Sequence, residues 1–275
     1  MKSKNFSIRS REISHSLPPY IIAEVSANHN GSLSRAKDTI LAAKESGVDA
    51  VKIQTYTPDT MTIESDNPDF HINDGLWKGK SLFELYSEAY TPFEWHSELF
   101  EYAKKIDIPL FSSPFDETAV DLLESLNTPA YKIASFEIVD LPLISYIASK
   151  NKPMLISTGM ATLSEIGDAI ECAKSAGNNK IAIFHCISSY PAPIEESNLN
   201  SIQILRKEFN IHVGLSDHTV GNLASLVATS LGASMIEKHF TLNREDGGVD
   251  SSFSNEPEEM SCLLYTSDAA DDVEC

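Results

Sequence analysis

A chain of 275 residues, 42% of them hydrophobic, is long enough for one large core, and a single main domain is the first expectation. With 21 Lys and Arg against 40 Asp and Glu, the formal net charge is −19, which argues against nucleic acid or an anionic membrane as partner. The N-terminus has no apolar core and no run approaches the ~18 apolar residues of a membrane span, so a soluble, unsecreted, cytoplasmic protein is expected.

Residues 1–19 read as a polar N-terminal extension. Short apolar, β-rich runs then alternate with amphipathic stretches: "YIIAEV" (20–25), "AVKIQ" (50–54), "PLFSSPF" (109–115) and "AYKIAS" (130–135), followed by "MLISTG" (154–159), "IAIFHC" (181–186), "HVGLSDH" (212–218) and "MIEKHF" (235–240). Helical patterns such as "SRAKDTILAAKESG" and "TLSEIGDAIECAKSAG" fill the gaps. This alternation predicts an α/β fold, a (β/α)₈ TIM barrel over residues 20–260. An open doubly wound sheet is the alternative, but no GxGxxG follows the first strand, and polar residues gather at the strand C-termini, where barrels build their sites.

The connection 55–91 exceeds what a barrel loop requires and reads as a lid or a substrate-facing excursion. The end, "CLLYTSDAADDVEC", is acidic and non-periodic. Residues 261–275 are therefore expected to be a truncated or non-native tail, with helix eight missing and apolar barrel surface uncovered. Cys172, Cys186, Cys262 and Cys275 form no CxxC pair and read as reduced thiols.

Side-chain parity picks out the site. In "GLSDHT" Ser216 and His218 share a face, and in "EKHF" Glu237 and His239 do the same. With Leu215, Ile236 and Phe240 toward the helices, these polar groups point into the barrel, where two imidazoles on adjoining strands suit one divalent metal. The plainer alternative is a pair of rim histidines satisfied by carbonyls or carboxylates. Lys52 in "VKIQ" and Lys132 in "YKIAS" interrupt apolar strands, so either an anionic ligand or a buried carboxylate such as Glu24 must compensate them. Ser135, Ser157, Thr158, Ser188 and Ser216 are short donors at the same strand ends and favour an anion pocket. Glu24 suits a general base, a cation ligand or a lysine partner. Asn30 and Gly31 read as turn and cap residues. Tyr190 in "CISSYPAP" and Asp250 in "GGVDSSFS" serve either sugar hydroxyls or loop packing. Lys238 takes no role, because its parity opposes that of Glu237 and His239.

Taken in order, "IIAEVSANHNGS", "AVKIQ", "YKIAS", "LISTGM", "HCISSYP", "GLSDHT" and "EKHFT" resemble the sialic acid synthase family from about Ile21 to Pro257. "SPFDETAVDLLESLNTPAYKIASFEIVD" and "GGVDSSFSNEP" look most like the branch that makes pseudaminic acid. Members that make N-acetylneuraminate usually have Asn at the position of Ser188 and a small residue at that of Phe136. The resemblance implies condensation of phosphoenolpyruvate with an amino sugar. It also implies a divalent metal, commonly Mn²⁺ with Mg²⁺ or Co²⁺ as alternatives, on the positions matching His218 and His239. Lys52, Lys132, Ser135, Ser157, Ser188 and Ser216 match phosphoenolpyruvate contacts, and Glu24 matches the proton-transfer residue. Gln54, Glu137, Tyr190, Glu237 and Asp250 match positions at or near the sugar. Family members are homodimers whose C-terminal antifreeze-like domain reaches the partner's site, and nothing in the sequence corresponds to that domain. Three rival readings remain at this point: an N-acetylneuraminate or legionaminic acid synthase, a metal-dependent keto-acid aldolase, and an inert barrel that binds a sugar acid.

Overall fold

The computed structural model describes residues 5–271. Two short strands, β1 (Phe6–Ile8) and β2 (Arg11–Ile13), pair as an antiparallel hairpin. The strands β3 (Tyr20–Glu24), β4 (Ala50–Thr55), β5 (Leu110–Pro114), β6 (Tyr131–Ile133), β7 (Met154–Ser157), β8 (Ile181–Cys186), β9 (His212–Asp217) and β10 (Met235–His239) follow. They form a closed parallel barrel in which each pairs with the next and β10 returns to β3, which rules out the open sheet.

Helices α1 (Leu33–Glu45), α4 (Phe93–Lys105), α5 (Glu117–Ser125), α6 (Leu141–Ser149), α7 (Leu163–Ser175), α8 (Ser201–Phe209) and α9 (Leu223–Ser230) follow successive strands, while α2 (Pro58–Met61) and α3 (Leu82–Ala89) lie within the long β4–α4 connection. Local chemistry fixes their starts. The Ser32 side chain accepts from Arg35 N, and Thr162 with Glu165 forms a reciprocal capping box at α7.

Alternation along the strands separates two apolar layers. Ile21, Ala23, Val51, Ile53, Ile133, Ile156, Ile183 and Leu215 pack outward against the helices. Tyr20, Ile22, Phe111, Leu155, Phe184 and Met235 fill the lower interior, and Phe6, Ile8 and Ile13 of the hairpin plug the floor beneath them. The N-terminal extension is therefore part of the core. Gly214 is required here, since a Cβ on it would lie 2.6 Å from Met235 O and 2.9 Å from the Phe184 ring. Above this floor the inward positions turn polar, which confines chemistry to the C-terminal mouth.

The expectation of a missing eighth helix is overturned. A final helix, α10 (Pro257–Asp271), packs against α9 and α1, with Met260 and Leu263 fully buried. Its start is anchored by Asn222 Nδ2, which donates to Glu259 O at 2.8 Å, and by Arg244 NH2, which donates to Glu259 Oε1 at 2.9 Å. The boundary expected at residue 261 thus falls inside a helix; Cys275 and the other residues after 271 lie outside the described residues. Its apolar face is narrow, Met260, Leu263 and Leu264 at helical spacing, which is why the segment read as non-periodic. Among the described residues no helix is long and apolar enough to cross a membrane.

Candidate active site

The first polar layer above the floor is ionic. Lys52 on β4 sits 2.7 Å from Glu24 Oε2 and 3.6 Å from Glu237 Oε1. Lys132 on β6 donates to both Glu237 oxygens at 2.8 and 3.0 Å, with its ammonium 5.0 Å above the Phe184 ring centroid. Ser216 on β9 also donates to Glu237, at 3.1 Å. All four charged groups are buried. A carboxylate compensates each lysine, so the lysines are not bare anion sites. Glu237, expected near the sugar, stands between them. Burial alone would raise the Glu237 carboxyl, but Lys132 and Lys52 outweigh it and hold it at about 2. For Glu24 burial prevails over Lys52, and the carboxyl is pushed above its ordinary range. Gln54 Nε2 bridges Glu24 Oε1 at 3.0 Å and Ser26 Oγ at 3.1 Å.

Beside this layer lies a cluster of hydroxyls. A Cβ on Gly159 would fall 2.3 Å from Ser188 Oγ and 2.8 Å from Ser135 Oγ, so only glycine admits both at this point. Ser188 Oγ is buried without a hydrogen-bond partner, which leaves its hydroxyl free to donate to an oxyanion. Ser157 ends β7 on the inward face nearby. Thr158 is different: its hydroxyl donates to Phe184 O at 3.0 Å and is already spent.

The two histidines stand above the ionic layer with ring centroids 5.3 Å apart. His218 Nδ1 lies 2.9 Å from Ile187 O, which assigns the proton to Nδ1 and leaves Nε2 as the ligating atom. Burial is the largest influence on His218 and pushes its imidazolium down, but Cys186, 3.8 Å from Nδ1, together with Ile187 O and Glu237 outweighs it and holds the group above its ordinary range. His239 Nδ1 is buried without a hydrogen bond, 3.8 Å from Asp250 Oδ2. Burial, then the charges of His218 and three lysines, drive His239 well below its ordinary range, so it carries a free lone pair. A divalent metal fits this pair of imidazole donors, with His218 giving up its Nε2 proton on binding. Among the described residues no cluster of three or more His, Cys, Asp or Glu ligands accompanies them, so water or substrate would complete the coordination.

A roof covers the histidines. The Tyr190 ring lies 4.3 Å from His218 and 5.7 Å from Phe253, centroid to centroid. Trp77, from the β4–α4 connection, packs on Tyr190 at 5.7 Å. The connection therefore lies over the site, and it is called the lid below. Tyr86 on α3 stacks edge-on against Tyr56 at 5.9 Å, carrying the lid past Glu137. Glu137 is half-buried with an unpartnered Oε2, and burial raises its carboxyl to about 7. The fourteen site residues that the resemblance implies all lie on the barrel strands or just past their C-terminal ends. Trp77, Gly159, Ser26 and Ser113, which accepts from Lys52 at 3.3 Å, join them without having been foreseen. Only Gly159 left a usable signal, as the glycine closing the strand-end run "ISTG".

The NeuB family model matches residues 39–273. A pseudaminic acid synthase of Helicobacter pylori is 53% identical over 237 residues, which span 86% of this chain and 70% of that protein. A pseudaminic acid synthase of Campylobacter jejuni is 47% identical over 245 residues, 89% of this chain and 71% of that protein. The crystal structure of an N-acetylneuraminic acid synthetase from Leptospira borgpetersenii superposes with a TM-score of 0.89 at 29% identity, covering 98% of this chain and 90% of that one. On matches of this breadth, extending through every barrel strand from β4 to β10, the chain belongs to the NeuB family.

Proposed function

We propose that this protein condenses phosphoenolpyruvate with 2,4-diacetamido-2,4,6-trideoxy-L-altrose to give pseudaminic acid and inorganic phosphate. The observation that carries the reading is the stacking of three groups in one mouth: the ionic layer, the Ser135–Gly159–Ser188 cluster and the His218–His239 pair. Relatives named pseudaminic acid synthases, at 53% and 47% identity, support the choice of sugar.

In this reading Ser135, Ser157, Ser188 and Ser216 donate to the phosphate and carboxylate oxygens of phosphoenolpyruvate, and Lys52 and Lys132 supply the positive field. Tyr190, Gln54, Glu137 and Asp250 orient the open-chain sugar under the lid, with Glu237 holding the lysines in place. C3 of phosphoenolpyruvate bonds to the sugar aldehyde carbon. As that bond forms, the C=O π electrons move to the aldehyde oxygen, and Glu24, its carboxyl raised by burial, delivers the proton that makes it a hydroxyl. Water adds at C2 and phosphate departs with its bridging C–O bond broken. A divalent metal held by His218 and His239, Mn²⁺ first and Mg²⁺ or Co²⁺ next, supplies Lewis-acid polarisation of the aldehyde. The reading extends to a cytoplasmic homodimer; the free thiols of Cys172, Cys186 and Cys262 support a reducing compartment.

The test is phosphate release from phosphoenolpyruvate with the altrose sugar and Mn²⁺, alongside His218→Ala and His239→Ala. Release that requires metal and both histidines is expected. Turnover with N-acetylmannosamine alone would move the protein to the neuraminate branch. Keto-acid cleavage without phosphate release would make it an aldolase.

A further inference from the structure

The histidine pair is gripped from behind by a second buried ion pair. Asp217 and Lys238 are direct cross-strand partners in the β9–β10 register. Their parity is opposite to that of Ser216, Glu237 and His239, so both side chains face away from the barrel interior, where they are 1% and 0% exposed. Lys238 Nζ donates to Asp217 Oδ2 at 2.9 Å and to Thr219 O at 2.5 Å. Asp217 Oδ1 accepts from both Thr219 N and Thr219 Oγ1 at 2.8 Å. Ser225 Oγ on α9 donates to Asp217 Oδ2 at 2.6 Å.

The residues before and after His218 are thus both tied to the one before His239. Stability alone does not call for such a network, because an apolar pair of similar volume is often as stable as a buried ion pair. Defined register and fixed strand ends are what an apolar pair would not supply. We propose that Asp217 and Lys238 are positioning residues that set the separation of the two imidazoles for a divalent cation. The proposal rests on the two-histidine metal reading above.

The experiment compares Asp217→Asn/Lys238→Met with the unaltered protein and with His218→Ala. Mn²⁺ binding is followed by the electron paramagnetic resonance of free ion during titration, and metal-free thermal unfolding is recorded in parallel. The expected result is a double variant that remains folded and cooperative but binds Mn²⁺ about 10–100-fold more weakly, the range seen when supports of metal ligands are removed. Lys238→Arg, which keeps the charge, should retain most of the affinity. Unchanged Mn²⁺ affinity in a folded double variant overturns the proposal. If the double variant does not fold, Ser225→Ala decides: several-fold weaker binding supports the clamp and unchanged binding overturns it. Unaltered protein that binds no Mn²⁺, or His218→Ala that binds it fully, sinks the metal reading and this proposal with it.

Discussion

The indole Nε1 of Trp77 donates a 2.8 Å hydrogen bond to the carbonyl oxygen of Val249, the residue before Asp250. One contact therefore fastens the lid to the loop that carries Asp250, the carboxylate proposed to orient the sugar. The same indole packs on Tyr190, so it touches both the roof and the loop. Trp77→Phe keeps an aromatic face and removes the donor. A lost hydrogen bond of about 1 kcal/mol should raise KM for the sugar about fivefold and leave KM for phosphoenolpyruvate nearly unchanged. Equal changes in both constants would show that the lid does not act on the sugar end.

Gly159→Ala tests the hydroxyl cluster. The new methyl would stand 2.3 Å from Ser188 Oγ, closer than packing allows, so either the serine rotates away or the strand end shifts. Overpacking of this kind costs about 1–3 kcal/mol. Steady-state kinetics should show KM for phosphoenolpyruvate raised about fivefold or more. Ser188→Ala, which deletes the crowded atom, should be milder alone and should partly restore binding when combined with Gly159→Ala. A double variant worse than both singles would place the anion elsewhere.

How far the sequence discloses this site depends on contact range. All eight barrel strands were legible because parallel strands buried on both faces read as apolar runs, and β8 matches "IAIFHC" end to end. Parity along β9 and β10 was enough to turn Ser216, His218, Glu237 and His239 inward and to set Lys238 apart. Pairings across the barrel were not legible: Lys132 meets Glu237 over 105 residues, and Trp77 meets Val249 over 172. Local pattern carries no trace of such distances. The hairpin was missed for another reason, since strands of three residues are too short to display a period. Phe6, Ile8 and Ile13 are apolar enough to plug the floor but too few to announce it.

Glu137 gives the protein a specific pH dependence. Its carboxyl is raised in the folded state to about 7 from an ordinary value of 4.5, chiefly by burial and then by Asp140. Because the folded form holds its proton more tightly, the associated stability is full below pH 4.5 and is lost as pH rises through 7. Glu137→Gln mimics the protonated group and cannot ionise. Its melting temperature should match that of the unaltered protein at acid pH and exceed it progressively as pH climbs, levelling off above the folded value. A difference that stays flat with pH would mean that the carboxyl is solvated or paired in solution.

Leu263 decides whether the final helix belongs to the barrel. Its side chain is 0% exposed and packs in the same apolar cluster as Ala36, Ile40 and Ala228. Were residues 261 onward an appended tail, truncating this leucine would change stability by no more than about 0.5 kcal/mol, as at an ordinary surface position. Packed as α10 is, Leu263→Ala leaves a cavity between α1 and α9 and should cost about 2–5 kcal/mol. Tyr265→Ala is the matched control, because that ring is 82% exposed on the same helix. Urea unfolding of both variants makes the comparison. A large loss at Leu263 with almost none at Tyr265 is expected, whereas small effects at both would mean that α10 is not docked on the barrel in solution.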